Sequence, residues 1–493
     1  MASGRLGGDL VKSVRTNSSS YLLIALLSTL AGCAVNSPST VELQQLAPSQ
    51  WAVSSPVSSV DFQPLQAAQL GKFWAAFGDP VLDRLIHSAA LNSPTLEQAR
   101  ARLDEAAAQA GKAKADQWPT VTAELSGARE KTPAVLQDQG RVTNTATATG
   151  LIGYFRWEID IFGAKRAAQG AADSDLRAAA ADLQAARASL ACEVAAAYIE
   201  YRGLQSRLPL WRSLLESLNA ELRLTQAKVE AGLASVADVN LVSQFLSQSQ
   251  AQASLIPAAL SAAQARLAAL TGFSPGQWVQ LLQSSADLLQ IPADVAIGIP
   301  LDTLERRRDV ATASQRLQAA MLRSAQADAQ RYPQLALSAQ AGWQAPRLAD
   351  VGGANTLTTQ VLAQLTATLF DGGRLAQALQ VQQAREAEQW ALWRQTVLEA
   401  LQEVSTEHAT LQGRGEATQA RRAAVFDTMR RNELLQARAQ AGLVDELSVL
   451  NTARSRWQAE LEASQAEQER RQSAVRLVRA LGGGWSSQTQ DHL

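Results

Sequence analysis

The chain contains the same unit twice, and this duplication limits its fold more than any single motif does. Three pairs of segments match in the same order, about 210 residues apart: WPTVTAELSG with YPQLALSAQAG, DIFGAKRA with TLFDGGRLA, and AKVEAGLASVADV with ARAQAGLVDELSV. Matches that recur at nearly one spacing indicate a tandem duplication of a whole structural unit. The fold must therefore be one that two copies of this unit build together.

Each unit has the same predicted layout. A helix of about 35 residues, which ends near Ala115 or Ala329, precedes two strands around a polar loop. A very long helix and a second, returning helix follow. The strands are predicted at 118–128, 147–162, 332–344 and 355–370, and the helices at 163–231, 235–270, 373–441 and 445–481. At 1.5 Å per residue, each longer helix spans about 100 Å.

Glycine and proline mark the ends and the weak point of these helices. Gly232 and Gly442 follow the two longest helices, where a residue without Cβ readily adopts the left-handed C-cap conformation. Pro209 falls inside the first long helix, and we expect it to kink or break that helix because it removes a backbone hydrogen bond.

The N-terminus has the features of a secretory signal. Basic residues precede the ten-residue apolar run Tyr21–Leu30, which is too short to cross a membrane as a helix. The sequence Leu-Ala-Gly-Cys that ends at Cys33 resembles the bacterial lipobox, which implies diacylglycerol on the sulfur, cleavage before Cys33 and acylation of the new amino terminus. An ordinary signal peptide that ends near a cysteine is the alternative. Ala34 at the second mature position points to the outer membrane.

These observations predict six segments. They are a signal peptide (1–32), a lipidated extended tether (33–64), a first repeat (65–275), a linker (276–300), a second repeat (301–481) and a disordered tail (482–493). The tether is rich in Ser, Pro and Gln, which favours an extended chain over a packed core.

Composition argues against several classes of function. The formal net charge of −1 gives no basic footprint for nucleic acid. The three histidines lie far apart in the sequence and have no metal-ligand spacing, and no Gly-x-Ser-x-Gly or paired-carboxylate motif indicates catalysis. Apart from lipid on Cys33, we expect no cofactor, no metal and no enzymatic activity. Val239–Ala265 lacks charge, but its Ser, Gln and Asn content and Pro257 argue against a transmembrane helix.

The predicted strands alternate between apolar and polar residues. In residues 355–370 the odd positions are mainly Leu, Val and Ala, whereas the even positions are mainly Thr and Gln. Residues 147–162 place Leu, Phe, Trp and Ile on the odd side and Arg, Glu and Asp on the even side. Strands of about ten residues with this period match a transmembrane β-barrel, although a half-buried sheet in a soluble protein has the same pattern.

Four strands do not close a barrel, because about eight strands are the minimum. An open sheet in lipid would leave its edge N–H and C=O groups unpaired. The chain is therefore predicted to oligomerise, each copy contributing four strands, and its Ala-rich helices are expected to pack side by side into a tube.

Together, the lipobox, the duplicated units and the segments GYFRWEIDIFGAKRAA, LERRRDVATASQRLQAA and ATLFDGGRLAQA resemble the outer-membrane factor family of tripartite efflux pumps, in its lipidated branch. The resemblance covers roughly residues 60–482. It implies a homotrimer with a 12-stranded β-barrel and a 12-helix periplasmic α-barrel. It also implies passive conduction of small toxic compounds or drugs from a periplasmic membrane-fusion adaptor and an inner-membrane pump of the RND type to the exterior.

The resemblance also implies roles for particular residues. Gly232, Leu233, Gly442 and Leu443 match the periplasmic tips where adaptor hairpins dock, although they also serve as simple helix caps. Leu447 matches the constriction of the resting channel, and Asn451 stands where the family pattern has an acid. Asp445, Glu446 or Asp238 is the candidate replacement for that acid, and a solvated helix end is the alternative for this region.

Arg166 and Arg374 follow the strand-to-helix junctions, where we expect a capping or surface role rather than a place at the tunnel mouth. Two other functions share part of the pattern. A type I secretion duct has the same fold, and a non-conducting periplasmic lipoprotein scaffold explains the lipobox and helices but not the alternating strands.

Overall fold

The structure is a computed structural model that describes Trp74, Phe77 and residues 79–132, 144–273 and 300–483. The predicted signal peptide, Cys33 and the tether lie outside the described residues, as do nearly all of the linker and the last ten residues of the tail. By its internal contacts the described chain divides into a strand unit (113–132, 144–170 and 321–383) and a helix unit (79–112, 171–273, 300–320 and 384–483).

Twelve α-helices and β-strands follow one another in the described residues, and each repeat has them in the same order; two short 3-10 helices, Leu348–Asp350 and Ala354–Thr356, lie between the last two strands. The first repeat comprises α1 (Pro80–Asn92), α2 (Pro94–Ala115), β1 (Thr120–Thr132), β2 (Asn144–Ile159), α3 (Ala164–Glu230) and α4 (Val236–Thr271). The second comprises α5 (Pro300–Arg306), α6 (Arg308–Ala329), β3 (Gln334–Ala345), β4 (Leu357–Thr366), α7 (Arg374–Gln440) and α8 (Glu446–Ala480). Ala, Leu, Gln, Glu and Arg, which favour helices, fill the long elements.

The strand unit is one antiparallel sheet in the order β1-β2-β3-β4. Its register places Leu125, Leu151, Trp343 and Leu357 in one row across the sheet, and Val121, Phe155, Ala339 and Val361 in another. Because successive side chains alternate in direction, these rows lie on the same face, and Gln340 and Gln360 lie on the opposite face. The predicted alternation is therefore confirmed by the pairing, which gives the sheet one apolar and one polar face.

The main core of the helix unit gathers α1, α3, α4 and α8. Leu85, Val194, Leu267 and Val478 are all buried in this one cluster. A buried hydrogen bond reinforces it, since the Tyr198 hydroxyl donates to the Asp79 carboxylate at 2.7 Å while the same carboxylate caps α1. Burial raises the pKa of Tyr198, and the bond to Asp79 adds to that rise.

Contacts within the helix unit define the order α4-α3-α8-α7. Leu214 and Leu218 of α3 share a small cluster with Leu246 of α4 and Leu461 of α8. A series of ion pairs that begins with Glu407–Arg476 joins α7 to α8. In a single chain α4 and α7 are therefore the outer helices of this group, although the C-terminal part of α4 packs against α1 and residues 393–404 of α7 include fully buried side chains.

Two predictions about helix continuity were wrong, and of the kink or break expected at Pro209 the break does not occur. The first helix of each unit is not continuous: in the first repeat it breaks at Ser93, which is extended because Pro94 follows it. In the second it breaks at Arg307, whose buried guanidinium donates to the Ala480 carbonyl at 2.6 Å and to Asp309 and Glu403 at 2.7 Å each. Pro209 does not break α3, which is helical from Ala164 to Glu230.

The strand boundaries also differ from the prediction by up to four residues, most at the ends of β1 and β4. β1 continues to Thr132 instead of ending at 128, because its pairing with β2 extends that far. β4 ends at Thr366 rather than at 370, since its last partner on β3 is Gln334. Leu369 and Phe370 consequently follow the strand as exposed residues before α7 begins.

Among the described helices, α4 has the length and apolar composition of a membrane-crossing helix. Core helices of soluble proteins meet the same criterion, so this match by itself is weak evidence. Asp238 and Pro257 lie within α4.

Candidate functional site at the helix tips

Two turns with the same geometry connect the long helices. At the end of α3, the Leu233 N–H donates to the Lys228 carbonyl at 2.7 Å and the Gly232 N–H donates to the Val229 carbonyl at 3.0 Å. The positive φ of 70° at Gly232 is the left-handed conformation that such a C-cap requires. This pair of bonds satisfies carbonyls that the helix end would otherwise leave unpaired.

The second turn repeats the arrangement. Leu443 and Gly442 donate to the Arg438 and Ala439 carbonyls, each at 2.9 Å, and Gly442 has φ of 73°. Both turns project their leucine outward, since 77% of Leu233 and 73% of Leu443 is exposed. The predicted tip residues therefore form two matching caps, each with one apolar side chain presented to its surroundings.

The two aspartates considered as gate acids are helix caps in the structure. Asp238 and Ser235 form a capping box at the start of α4, and their hydrogen bonds lower the pKa of Asp238. Asp445 accepts the Leu447 N–H at 2.7 Å at the start of α8. A charged hydrogen bond from Lys228, followed by the bond from Leu447, lowers the pKa of Asp445.

Near the tips, two ion pairs join α3 to the hairpin that α7 and α8 form. The Lys228 ammonium lies 2.6 Å from the Asp445 carboxylate. Farther from the tip, Arg454 of α8 lies 3.3 Å from Glu221 of α3, and its guanidinium stacks 4.5 Å from the centre of the Phe245 ring. Each pair joins a residue of the first repeat to a residue of the second.

Glu221 is unusual among the residues of these two ion pairs because only 2% of its surface is exposed. Oε1 faces Arg454, whereas Oε2 has no hydrogen-bond partner in the structure. Burial raises the pKa of Glu221, and the Arg454 charge offsets part of that rise. A buried carboxylate with one free oxygen makes this tie sensitive to the loss of its single cationic partner.

Leu447 and Asn451 lie one helical turn apart on α8, and both are half-buried in the single chain. Asn451 is already engaged, since its side-chain oxygen accepts a hydrogen bond from Arg454 at 3.1 Å. Position 451, where the family pattern has an acid, therefore carries an amide that is hydrogen-bonded to Arg454 of the Arg454–Glu221 pair.

Sequence reasoning missed Lys228, Glu221, Arg454 and Phe245. Lys228 stands in the last turn of α3, where a cation is commonplace, and nothing in the sequence indicates its partner. Glu221 and Arg454 are 233 positions apart, so only the fold brings them together.

The strand-to-helix junctions have their own caps. Asp160 accepts the backbone N–H groups of Lys165 and Arg166 at 3.2 and 2.9 Å, and its carboxylate lies 3.4 Å from the Arg166 side chain. Asp371 plays the same part before α7 by accepting the N–H groups of Gly373 and Leu375. Arg166 thus pairs with a neighbouring carboxylate as part of a cap. No group of metal-ligating side chains occurs among the described residues.

Comparisons with known proteins agree with this arrangement. A family profile described as outer membrane efflux protein matches residues 85–273 and 299–483. The pyoverdine export outer membrane protein OpmQ of Pseudomonas aeruginosa is 30% identical over 470 residues, which cover 94% of this chain and 96% of that protein. The probable efflux pump outer membrane protein TtgC of Pseudomonas putida is 28% identical over 444 residues, which cover 89% and 90%.

A solved structure shows the same fold. The outer-membrane channel OprN superposes with a TM-score of 0.79 at 27% identity, over 89% of this chain and 98% of that chain. The fold class predicted from the resemblance is thereby confirmed. The chain belongs to the outer membrane efflux protein family and is an outer-membrane channel component of an efflux system.

Proposed function

We propose that three copies of the chain form a gated duct that passively conducts small toxic compounds or drugs to the exterior. The substrates are delivered by an inner-membrane pump of the RND type through a periplasmic adaptor. The observation that carries this proposal is that the fold of one chain has unpaired edges. The sheet has an apolar and a polar face and two outer strands, each without a partner on one side, and the group of long helices has two outer helices with exposed apolar side chains.

The sheet edges support assembly. β1 and β4 are the outer strands of the sheet, so each presents one side without a partner in the chain. Lipid does not hydrogen-bond to such groups, and four strands are too few to close. Pairing β4 of one copy with β1 of the next gives a closed 12-stranded barrel that keeps the apolar face toward lipid.

The helix edges support the same assembly. α7 carries exposed apolar side chains along its length, among them Trp390, Leu398, Phe426 and Leu434. At the opposite edge, α4 exposes Leu241 and Leu255 on a helix with almost no charge. A second copy that sets its α4 against α7 covers both edges, and repetition of this head-to-tail contact closes a ring.

The tips supply the gate. The Lys228–Asp445 and Glu221–Arg454 pairs hold the hairpin of α7 and α8 against α3 in the resting state. Three copies of Leu447 then form an apolar ring, which narrows the pore and disfavours water within it. The exposed Leu233 and Leu443 give the adaptor apolar contacts next to these ties, so docking at the tips is positioned to loosen them.

A lipid on the N-terminus is consistent with a location at the outer membrane. Acylated Cys33 would hold the chain at the outer membrane through several acyl chains, which anchor stably where a single chain does not. This anchor is proposed from the Leu-Ala-Gly-Cys sequence alone.

A complementation experiment tests the transport role. The full gene is expressed in a Gram-negative strain that lacks its own outer-membrane efflux component but retains an RND-type pump and adaptor. The proposal predicts restored resistance to amphiphilic drugs, and a Leu233→Asp/Leu443→Asp variant should reach the outer membrane without restoring it. Secretion of a type I protein substrate instead of drug resistance would point to a secretion duct.

A further inference from the structure

We propose that Arg129 and Lys131 of β1 form a binding site for the phosphate group of an anionic lipid in the outer leaflet of the membrane. The two residues lie on the apolar face of the sheet, beyond the end of its apolar rows. The inference rests on the proposed barrel in the outer membrane and adds a class of lipid that the outside of this barrel selects.

Charged residues are sorted between the two faces of the sheet. The register between neighbouring strands is constant, so odd-numbered residues share the apolar face and even-numbered residues share the polar face. Arg129 and Lys131 are the only charged residues that the described strands place on the apolar face. The charged residues of the polar face are Glu124, Glu130, Arg156 and Glu158. The face proposed to contact lipid therefore carries positive charge alone.

The apolar rows have the height of a membrane core. On β2 they extend from Ile159, which pairs with Leu335, to Leu151, which pairs with Leu125 and Trp343. The eight positions between Ile159 and Leu151 span about 27 Å along the strand, or about 21 Å of height at a tilt of about 40°. Outer-membrane barrels have an apolar band of about 25 Å, so the rows beyond Leu125 reach the lipid headgroups.

The two cations lie at the level of those headgroups. Arg129 and Lys131 are four and six positions beyond Leu125, which is about 10 and 16 Å higher at the same tilt. The chain continues into the helices at the opposite end of the sheet, after Ile159 and Thr366. Because the proposed helical tube lies in the periplasm, the end with the two cations lies in the outer leaflet, where a charge on the outside of a barrel costs little.

Neither cation has a charged neighbour across the strand pair. Arg129 pairs with Thr147 and Lys131 pairs with Thr145, while Glu130 lies on the opposite face. Both cations are exposed and about 7 Å apart along one strand. A guanidinium binds two phosphate oxygens at once, and an ammonium adds a point charge. This pair therefore fits a lipid phosphate whose acyl chains lie along the apolar rows below it.

Two simpler roles make different predictions. Charges near the end of an edge strand discourage pairing with foreign strands, and long cationic side chains at a membrane surface remain hydrated without a specific partner. Neither role distinguishes an anionic lipid from a zwitterionic one. A phosphate site does, because each cation near a membrane surface favours an anionic lipid by roughly fivefold.

Electron paramagnetic resonance with spin-labelled lipids tests the site in the full chain. The protein is folded into phosphatidylcholine vesicles that contain a trace of phosphatidic acid or phosphatidylcholine labelled on an acyl chain. The motionally restricted fraction of the label measures how much of each lipid stays at the protein. For wild type we expect a preference for phosphatidic acid of roughly twofold, averaged over the whole lipid-facing surface, which weakens as salt screens the charges.

The variant Arg129→Gln/Lys131→Gln should lose this preference. Ala128→Arg/Arg129→Ala keeps the composition but moves one cation to the polar face, so it should lower the preference. Arg156→Gln, which removes a cation from the polar face, is the matched control and should retain the wild-type preference. Equal retention of the two lipids by wild type, or an unchanged preference in Arg129→Gln/Lys131→Gln, would overturn the proposal.

Two further outcomes separate this site from its alternatives. Inorganic phosphate added at constant ionic strength should leave the preference unchanged, and loss of the preference would indicate a site for free phosphate rather than for lipid. The readout requires no conduction, so a closed channel does not obscure it. Wild-type protein that restricts neither lipid would contradict the membrane-spanning barrel itself, whereas equal restriction of both lipids contradicts the phosphate site alone.

Discussion

Lys228 and Asp445, 217 positions apart in the sequence, share a 2.6 Å ion pair that joins the end of the first long helix to the start of the last one. Asp445 simultaneously caps α8 through the Leu447 N–H. One carboxylate thus connects the two repeats and fixes the first turn of the helix that carries the candidate pore residues.

Loss of this pair should favour the open duct. A partly exposed ion pair contributes about 0.5 kcal/mol, so three copies that open together shift the equilibrium by about tenfold. We expect Lys228→Met to raise single-channel open probability by that order at pH 7. Lys228→Arg, which keeps the charge, is the control, and equal open probabilities for the two variants would remove this pair from the gate.

The same pair predicts a pH dependence. Its hydrogen bonds hold the pKa of Asp445 below the ordinary 3.8, so its contribution is present above that value and is lost as the pH falls through the lowered pKa. The contribution of the Lys228–Asp445 pair to wild-type conductance should therefore be constant from pH 8 to pH 5. Conductance should rise through loss of this pair only in stronger acid. In Asp445→Asn, the part of the acid response that comes from this pair should be absent.

Arg454→Met should destabilise the protein more than Glu221→Gln does. The first change leaves a buried carboxylate without its cation, at a cost of about 3–5 kcal/mol, whereas the second removes the buried charge itself. Apparent unfolding temperature in detergent, followed by tryptophan fluorescence, measures both. A larger loss in Glu221→Gln than in Arg454→Met would contradict the structural account of this pair.

The direction of the Glu221 pKa shift predicts how the stability of these two variants depends on pH. Burial raises the folded pKa of Glu221 above 4.5, so its favourable contribution is fully present below pH 4.5 and is lost as the pH rises through the folded value. The defect of Arg454→Met should therefore shrink as the pH is lowered toward 5. The Glu221→Gln variant has no carboxyl group there and should lack this recovery.

Leu447→Ala should raise conductance if three leucines narrow the pore. Alanine removes most of the apolar ring and admits water, which lowers the barrier to ions. Single-channel recordings and antibiotic susceptibility report on the change, and Leu447→Met is the control of similar volume. Unchanged conductance in Leu447→Ala would exclude this side chain from the constriction.

The two faces of the sheet should respond differently to charge. Val361, which is 76% exposed in the single chain, lies on the apolar face, and its sequence neighbour Gln360 lies on the polar face. Val361→Arg should cost about 2–4 kcal/mol in lipid, whereas Gln360→Arg should cost far less. Folding yield into lipid vesicles measures both, and equal yields would contradict the assignment of the faces.

Sequence reasoning reached the parts of the fold that depend on local pattern. Strand alternation placed Val361 and Gln360 on opposite faces because β-strands have a period of two. Gly232 and Gly442 marked both helix ends because a left-handed cap favours glycine. The duplication located the second set of elements once the first was recognised.

The interactions that hold the repeats together depend on packing and were not predicted. Arg307 interrupts the predicted helix to reach Ala480 and Glu403, which lie 173 and 96 positions away. Pro209 remains inside α3 even though an isolated helix would be weakened there. Asp238 and Asp445 were considered as pore acids. In the structure their side chains cap the starts of α4 and α8, a role that the sequence pattern did not specify.

Three copies of the chain should close into one gated duct. The most direct test determines the mass of the protein extracted from outer membranes in detergent and records the same sample in planar bilayers. We expect trimers with low conductance that rises in Lys228→Met. Monomers, or trimers that do not conduct even in that variant, would contradict the duct and favour a non-conducting periplasmic scaffold.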